Sequence, residues 1–410
     1  MLIKAGEKGQ ALILIALAAI GLFGFAALAI DGSIVFSDKR HAQNAADTAA
    51  LAGSLAYIRG NDIDAAAQGR ATDNGYDDGA LSDITITTTD IAAGSGICPG
   101  DVAGKEIKVD ITSYVDTTFA RVIGWSKVTN FVTATARGCD FYRAPLFNGN
   151  AIVGLKPNTG GDCSFDSGTS DSAHWKVEGS GIFSNGCAYS KSDEPGDVSV
   201  ELDPGSCITS VGTASNFTCM NANQTSQAIR YPDDVLAIMP PNPCDGTPGD
   251  VGLPPPANGS TFSNGVYCIS DLDSYDQEDI VLNNATLYVT DTTFDLKFAG
   301  GGGFYGTPSQ GGDFKNYYMV VPYLGTPCPS FTSNNTQVIE WRGNGGGTFY
   351  GTVLAPSACL DIRGNGHPSG MHTQIIGYIV GSNGTAEVYI NYNEDENHKI
   401  PVNPSLTLVK

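Results

Sequence analysis

The densest group of acid–base side chains in the sequence is Asp361, Arg363, His367 and His372, gathered around the phrase Arg363-Gly364-Asn365-Gly366-His367. A carboxylate, a guanidinium and imidazoles on one face are the groups needed to remove and return a proton, as in cleavage of an acidic polysaccharide. The same phrase is also a Gly/Asn/Pro corner. A near copy, Trp341-Arg342-Gly343-Asn344-Gly345-Gly346, stands one segment earlier. Recurrence favours turn geometry over catalysis, and no enzymatic activity is expected. A second candidate is the acidic phrase Asp271 to Asp279, where Asp271, Asp273 and Asp276 offer hard oxygen ligands suited to calcium. It lacks the central glycine and the ligand spacing of an EF-hand loop, so it reads as a solvated loop, as do Asp193, Glu194 and Asp197. His41, His174 and His398 make no metal-ligand spacing with another His or Cys. No cofactor motif is present: the sequence has no phosphate loop, dinucleotide fingerprint, GxSxG elbow or HExxH.

The ten cysteines carry a different chemistry. Cys98, Cys139, Cys163, Cys187, Cys207, Cys219, Cys244, Cys268, Cys328 and Cys359 are even in number and dispersed, and none forms a CxxC pair. That pattern predicts disulfides in an oxidising compartment. Connectivity is not readable from sequence, although Cys163/Cys187, Cys207/Cys219, Cys244/Cys268 and Cys328/Cys359 would close the shortest loops. Six Asn-x-Ser/Thr sites, at Asn216, Asn223, Asn258, Asn284, Asn334 and Asn383, matter only in a host that glycosylates surface proteins.

The elements that must position these residues begin with the strongest local signal. From Ala11 to Ile30 no residue is charged, and a helix of that length crosses a hydrocarbon core. Lys4 and Lys8 precede it and Asp31 follows, so the positive-inside bias predicts a cytoplasmic amino terminus and an extracytoplasmic body. Ala27-Leu28-Ala29 fits a signal-peptidase site only weakly in so alanine-rich a run, so an anchor is favoured over a cleaved signal. Helical pattern continues beyond the span: Ile34, Ala42, Ala45, Ala49, Ala52 and Ala56 recur at three- and four-residue steps. Asp38, Lys39, Arg40, Gln43 and Asp47 supply a polar side. The expectation is one helix of about 45 to 50 residues, roughly 70 Å long, with a bend at Asp31-Gly32.

Charge follows the same division. The chain of 410 residues has 22 Lys plus Arg and 43 Asp plus Glu, a formal net charge of −21. Residues 1–60 hold five cations against four anions, so −22 belongs to residues 61–410. This acidity excludes a nucleic-acid partner.

Glu7-Lys8-Gly9-Gln10-Ala11, the apolar span, Asp31-Gly32 and the string QNAADTAALAG over 43–53 resemble the Tad-type domain of TadE/TadG-like Flp pilus-assembly proteins. The residues of this chain that carry the resemblance are Gly9, Gln10, Asp31, Gln43, Asn44 and Asp47. It covers residues 7–58 and extends more weakly to about 140. It implies participation in assembling or anchoring Flp/Tad pili, with the membrane and pilin-like proteins as partners. Close alanine contacts would pack the helix against other pilin-like helices. A prepilin-peptidase substrate would carry a glutamate just inside the apolar helix. Here Glu7 follows Gly6 and residues 11–30 hold no acid, which predicts an uncleaved, TadG-like anchor.

Downstream, an Asn61 or Asp62 cap opens a short helix that stops at Asn74-Gly75. Ile84, Ile86, Ile107, Val109 and Ile111 alternate with polar residues as half-buried strands. Thr118 to Ile123 reads as a helical turn, and Val128 to Ala136 as a strand. After Cys139 short Val/Ile/Tyr/Phe runs alternate with Gly, Asn, Asp and Pro. Phrases around Phe183, Phe262 and Phe349 recur at intervals that fit three or four coils of twenty-odd residues.

The expected fold is therefore α+β: residues 1–60 a helix with its span at about 11–30, residues 61–140 a small α+β unit, and residues 141–410 a mostly-β body. Within that body a right-handed β-helix is favoured over a sandwich, and the Pro-rich segment 239–257 interrupts it. The expected role is a single-pass, non-catalytic membrane protein of the cell envelope. The alternative is a secreted or surface adhesin or polysaccharide-active enzyme that uses the helix only for export. If the cysteines are paired, alkylation of the unreduced, denatured protein should detect essentially no thiol, whereas ten reactive thiols would reject the assignment.

Overall fold

In the computed structural model, the described residues are 8–159, 163–168, 173–190, 200–246, 252–256, 260–276, 278–298, 302–330, 337–341, 347–362, 364–365, 370–382 and 386–409. A long apolar amino-terminal helix is followed by a mostly-β chain, which divides into two compact units, Met1–Arg143 with Pro401–Lys410, and Ala144–Ile400.

In the first unit, helix α1 runs unbroken over Lys8–Ile58, 51 residues or about 77 Å of helix axis. Helix α2, Ile63–Asp73, is opened by Asp62, whose carboxylate accepts the Ala65 N–H at 2.9 Å. Strands β1 (Ser82–Ile91), β2 (Gly104–Asp116) and β3 (Lys127–Cys139) form an antiparallel sheet in that order. Its fourth strand, Ser405–Val409, pairs with β3, so the last ten residues, expected in the body, belong to this unit. Nothing local announces this. Ser-Leu-Thr-Leu alternation fits any sheet, and only the partner decides which.

Period-two patterning puts Ile107, Val109 and Ile111 of β2 and Val132, Ala134 and Ala136 of β3 on one buried face. Against it lie Ala42, Ala45, Ala46, Ala49 and Ala50 of α1, each 0% exposed, with Ala67 and Ala71 of α2. Small side chains let the helix approach closely. A Cβ built on Gly53 would lie 3.0 Å from Ile107 Cγ2 and 3.3 Å from Ala67 Cβ, and one on Gly138 of β3 would lie 3.0 Å from the Ser54 carbonyl oxygen. The alanine ladder, expected to meet helices of other proteins, is instead consumed within its own chain. Asp38, expected on the polar side, stands seven residues after Asp31 and four before Ala42, on this docked face.

In the second unit, described strand pairings in the main sheet are parallel. The order runs Met220–Asn221, Ile208–Ser210, Ile182–Ser184, Ile152–Gly154, Ile375–Gly381, Thr352–Ile362, Tyr317–Val320, Ile280–Val289, Thr261–Ile269, Gly252–Leu253. The chain thus enters in the middle, winds out to one edge, crosses to the other and winds back to meet its own first strand. Both faces are apolar. Ile208, Ile182, Ile152, Ile375, Val353 and Met319 stack in register on one, and Phe183, Val153, Ile376, Leu354, Val320 and Tyr288 on the other.

The crossing segment covers that second face. Ile229, Tyr231, Ile238, Met239 and Cys244 pack on it, and Asn185 brackets Ile229, donating to its carbonyl at 2.9 Å and accepting its N–H at 2.8 Å. Residues 239–244 of the Pro-rich stretch therefore belong to a covering strap, whose prolines suit an extended path outside the ladder, while Gly252–Leu253 of the same stretch joins the edge of the sheet.

The tightness of helix docking is directly testable. Gly53→Leu should cost about 1–3 kcal/mol in denaturant unfolding of the detergent-solubilised protein, because the added carbons have no space beside Ile107. Gly69→Ala, in α2 with nothing within 4 Å, should gain up to about 1 kcal/mol from helix propensity. Equal effects of the two would refute the close approach.

Candidate functional site: an apolar span continued into a docked helix

The two ends of α1 have opposite surroundings. Ile13, Leu14, Ile15, Leu17, Ile20, Leu22, Phe23, Phe25 and Leu28 are 61–77% exposed, uncovered among the described residues. Among the described residues this is the one helix long and apolar enough to cross a membrane, with a mean hydropathy of 2.7 over its best 18-residue window. Beyond Ile30 the same helix is clamped to the sheet through polar side chains on its docked face.

Asp31 is the first clamp. Its carboxylate, 5% exposed, accepts the N–H groups of Thr118 at 2.9 Å, Phe119 at 2.9 Å and Ala120 at 2.6 Å. These are orphan donors at the start of a 3-10 turn, Ala120–Ile123, and an acceptor carrying charge satisfies them best. Gly124 closes the turn at φ 97°, a left-handed conformation that favours glycine.

Asp38 is the second. It accepts the Tyr76 hydroxyl at 3.1 Å, the Ser113 hydroxyl and the Asn130 amide at 2.8 Å, while the same amide donates to the Val35 carbonyl at 3.0 Å. One carboxylate thereby joins α1 to β2, β3 and the loop after α2. Burial, and then the Asp38 charge beside it, push the Tyr76 phenol well above its ordinary range, so it remains a donor. The third clamp is Gln43, whose amide donates to Asp47 at 2.9 Å and to the Thr133 carbonyl of β3 at 3.0 Å. Asn44 is exposed. Gly9 and Gln10 lie in the first turn of α1, where side chains are outside the described residues.

Sequence reasoning singled out Asp31, Gln43 and Asp47 but missed Asp38, Tyr76, Ser113 and Asn130. The available signal was the seven-residue step from Asp31 to Asp38, two helical turns on one face. Tyr76, Ser113 and Asn130 carry no such signal.

The ten cysteines form five bonds, Cys98–Cys139, Cys163–Cys187, Cys207–Cys219, Cys244–Cys268 and Cys328–Cys359. The acid–base candidates have separate surroundings where they are described. Asp361 is buried and registers with Gly381, whereas His372 bridges to Tyr350 and lies 3.1 Å from Glu396 through Nδ1. Arg363, His367 and 342–346 lie outside the described residues, as do Asp193, Glu194, Asp197, Asn258, Asn334 and Asn383. His398 stacks on Tyr317 at 3.9 Å and its Nδ1 lies 2.7 Å from the Lys315 carbonyl oxygen.

In the acidic phrase, the Asp271, Asp273 and Asp276 carboxylates each accept a backbone N–H, from Ser274, Asp295 and Lys297 respectively. Burial, with Asp276, Asp291 and Asp295 nearby, raises the Asp273 carboxyl above its usual range. Among the described residues no group of three His, Cys, Asp or Glu is arranged to hold a metal ion.

An uncovered apolar span that continues without a break into a helix clamped on its own sheet suits a membrane anchor. Residues 9–68 match the family model "Tad: Putative Flp pilus-assembly TadE/G-like", covering the span, the alanine ladder and the start of α2. No curated protein and no solved structure matches the chain.

Asp38→Ala leaves three donors without their shared acceptor. It should lower unfolding stability in detergent by about 2–4 kcal/mol. Hydrogen exchange read by mass spectrometry should quicken in β2 and β3 beside it, and wild-type protection there would show that Asp38 is dispensable.

Proposed function

We propose that this protein is a TadG-like, single-pass anchor protein of the cell envelope, acting in assembly or anchoring of Flp/Tad pili and in surface attachment. Its amino terminus is cytoplasmic and its acidic body extracytoplasmic. The observation that carries the reading is the division of α1 into an uncovered apolar half and a half docked on its own sheet, within the segment that has Tad-type sequence. Lys4 and Lys8 before the span support the orientation, as does the confinement of the cysteines to residues beyond it.

The body is read as a right-handed β-helix. Parallel, in-register pairing supports this over a sandwich of antiparallel strands, as do partners twenty to twenty-six residues apart, such as Thr261 with Val281 and Ile182 with Ile208. Its role is association, with pilin-like proteins or a surface polysaccharide, rather than turnover. Because the alanine ladder is occupied, partners meet other surfaces of the protein.

Fractionation with protease shaving of intact cells tests the topology. The expected result is a carbonate-resistant membrane protein with an intact amino terminus and a protease-accessible body. After detergent solubilisation it should co-purify with pilus components. Soluble protein beginning near Ile30 would overturn the anchor, and polysaccharide turnover lost on Asp361→Ala would overturn the non-catalytic reading.

A further inference from the structure

The turn that Asp31 holds exposes three of its apolar side chains. Val122 is 85% exposed, Trp125 69% and Phe119 43%, three large apolar side chains within seven residues. The turn is nonetheless well built. Thr117 donates its N–H to the Ser126 carbonyl at 3.1 Å and its hydroxyl to the Trp125 carbonyl, and the Trp125 N–H returns to the Ala120 carbonyl at 3.1 Å. Exposure here reflects a fixed presentation of apolar groups and not a frayed loop.

Its level along α1 is also fixed. Asp31 is the first residue after the uncharged run, so it marks where a spanning helix leaves the hydrocarbon core. The bonds from Thr118, Phe119 and Ala120 to its carboxylate hold the turn beside the helix at that level. Arg121 and Lys127 flank the apolar residues and are exposed, with Asp116 opposite Lys127 in the ladder. Aromatic and aliphatic side chains rimmed by cations suit the boundary between acyl chains and headgroups, where an indole keeps its body in lipid and its N–H near water.

We propose that residues 117–127 form a second membrane contact, a foot in which Phe119, Val122 and Trp125 enter the interface beside the span while Arg121 and Lys127 face anionic headgroups. The inference rests on the anchor reading and adds to it. A helix alone leaves the attached unit free to tilt and rotate, whereas two contacts, joined by Asp31, fix its orientation on the bilayer.

All described cysteines are in disulfides, so a single introduced thiol can be labelled. Full-length Val122→Cys, Ile20→Cys and Thr89→Cys would each carry a nitroxide in bilayers of phosphatidylcholine with and without phosphatidylglycerol. Relaxation by oxygen would be compared with relaxation by a water-soluble nickel chelate. The expected result is oxygen-dominated relaxation at positions 20 and 122, several-fold above that at exposed Thr89, and greater at 122 when phosphatidylglycerol is present. Position 122 behaving like position 89 while position 20 remains in lipid would overturn the foot and leave the anchor standing. Both positions in water would overturn both. Spin–spin broadening at 122 that disappears on dilution in lipid would assign the patch to a second copy of the chain and reject the lipid contact.

Discussion

The structure of the first unit depends on the contact between the alanine face of α1 and the sheet β1–β2–β3. A single straight helix is apolar and uncovered over one half and sheet-facing over the other, and the two halves carry different side chains. Lipid accepts Leu, Ile and Phe pointing in all directions. A sheet accepts a helix closely only where the helix is smooth, which is why Ala42, Ala45, Ala46, Ala49 and Ala50 are completely buried and a Cβ at Gly53 would crowd Ile107 of β2 and Ala67 of α2. Close approach then brings the carboxylates of Asp31 and Asp38 within reach of donors on the sheet and its loops. Without it both carboxylates would lose these donors.

The body solves a different problem with different means. It holds few charges and many Gly and Asn, and the central strands of its main sheet are apolar on both faces, so each needs two covers. Trp175, Val177, Val388 and Ile390 of a separate parallel sheet share one core with the first face, and the crossing strap covers the other. The chain's route, out to one edge and back from the other, obliges it to run across the sheet between the two halves. A segment that looks like a linker by composition is therefore core on its inner side. Asn and Gly serve the corners: Asn264 and Asn284 adopt φ 55° and 56°, and the Asn284 amide donates to Asn264 Oδ1 at 2.9 Å. At Gly306 a Cβ would lie 2.0 Å from the Leu282 carbonyl oxygen, so that corner admits no side chain.

How far the sequence could be read depended on whether a feature was local. Helix α1, the Asp62 cap of α2, the strands around Ile84 and Ile107 to Ile111, and the turn ended by Gly124 are legible because periodicity and capping act over a few residues. The alanine ladder was legible as a buried face but not as to its occupant. An Ala-rich stripe packs equally well on a neighbouring helix or on a sheet of the same chain, and the choice belongs to strands fifty or more residues away. Asp38 reads by its charge as part of the polar side, although its position four residues before Ala42 sets it on the docked face. Its partners Tyr76, Ser113 and Asn130 become donors to one acceptor only after three elements converge.

Composition and order along the chain alone determined that residues 11–30 are an apolar span, that the acidity and the cysteines belong to the chain beyond residue 60, and that the carboxy-terminal part is mostly strand. These properties rest on side-chain solubility and local backbone preference, which need no partner. Only the tertiary structure decided that the docked half of α1 is occupied by its own sheet, that residues 405–409 complete that sheet, and that residues 229–244 cover the body's second face. Each of those is a contact between segments far apart in the chain, where the free energy comes from fit and from shared hydrogen bonds rather than from any residue's own preference.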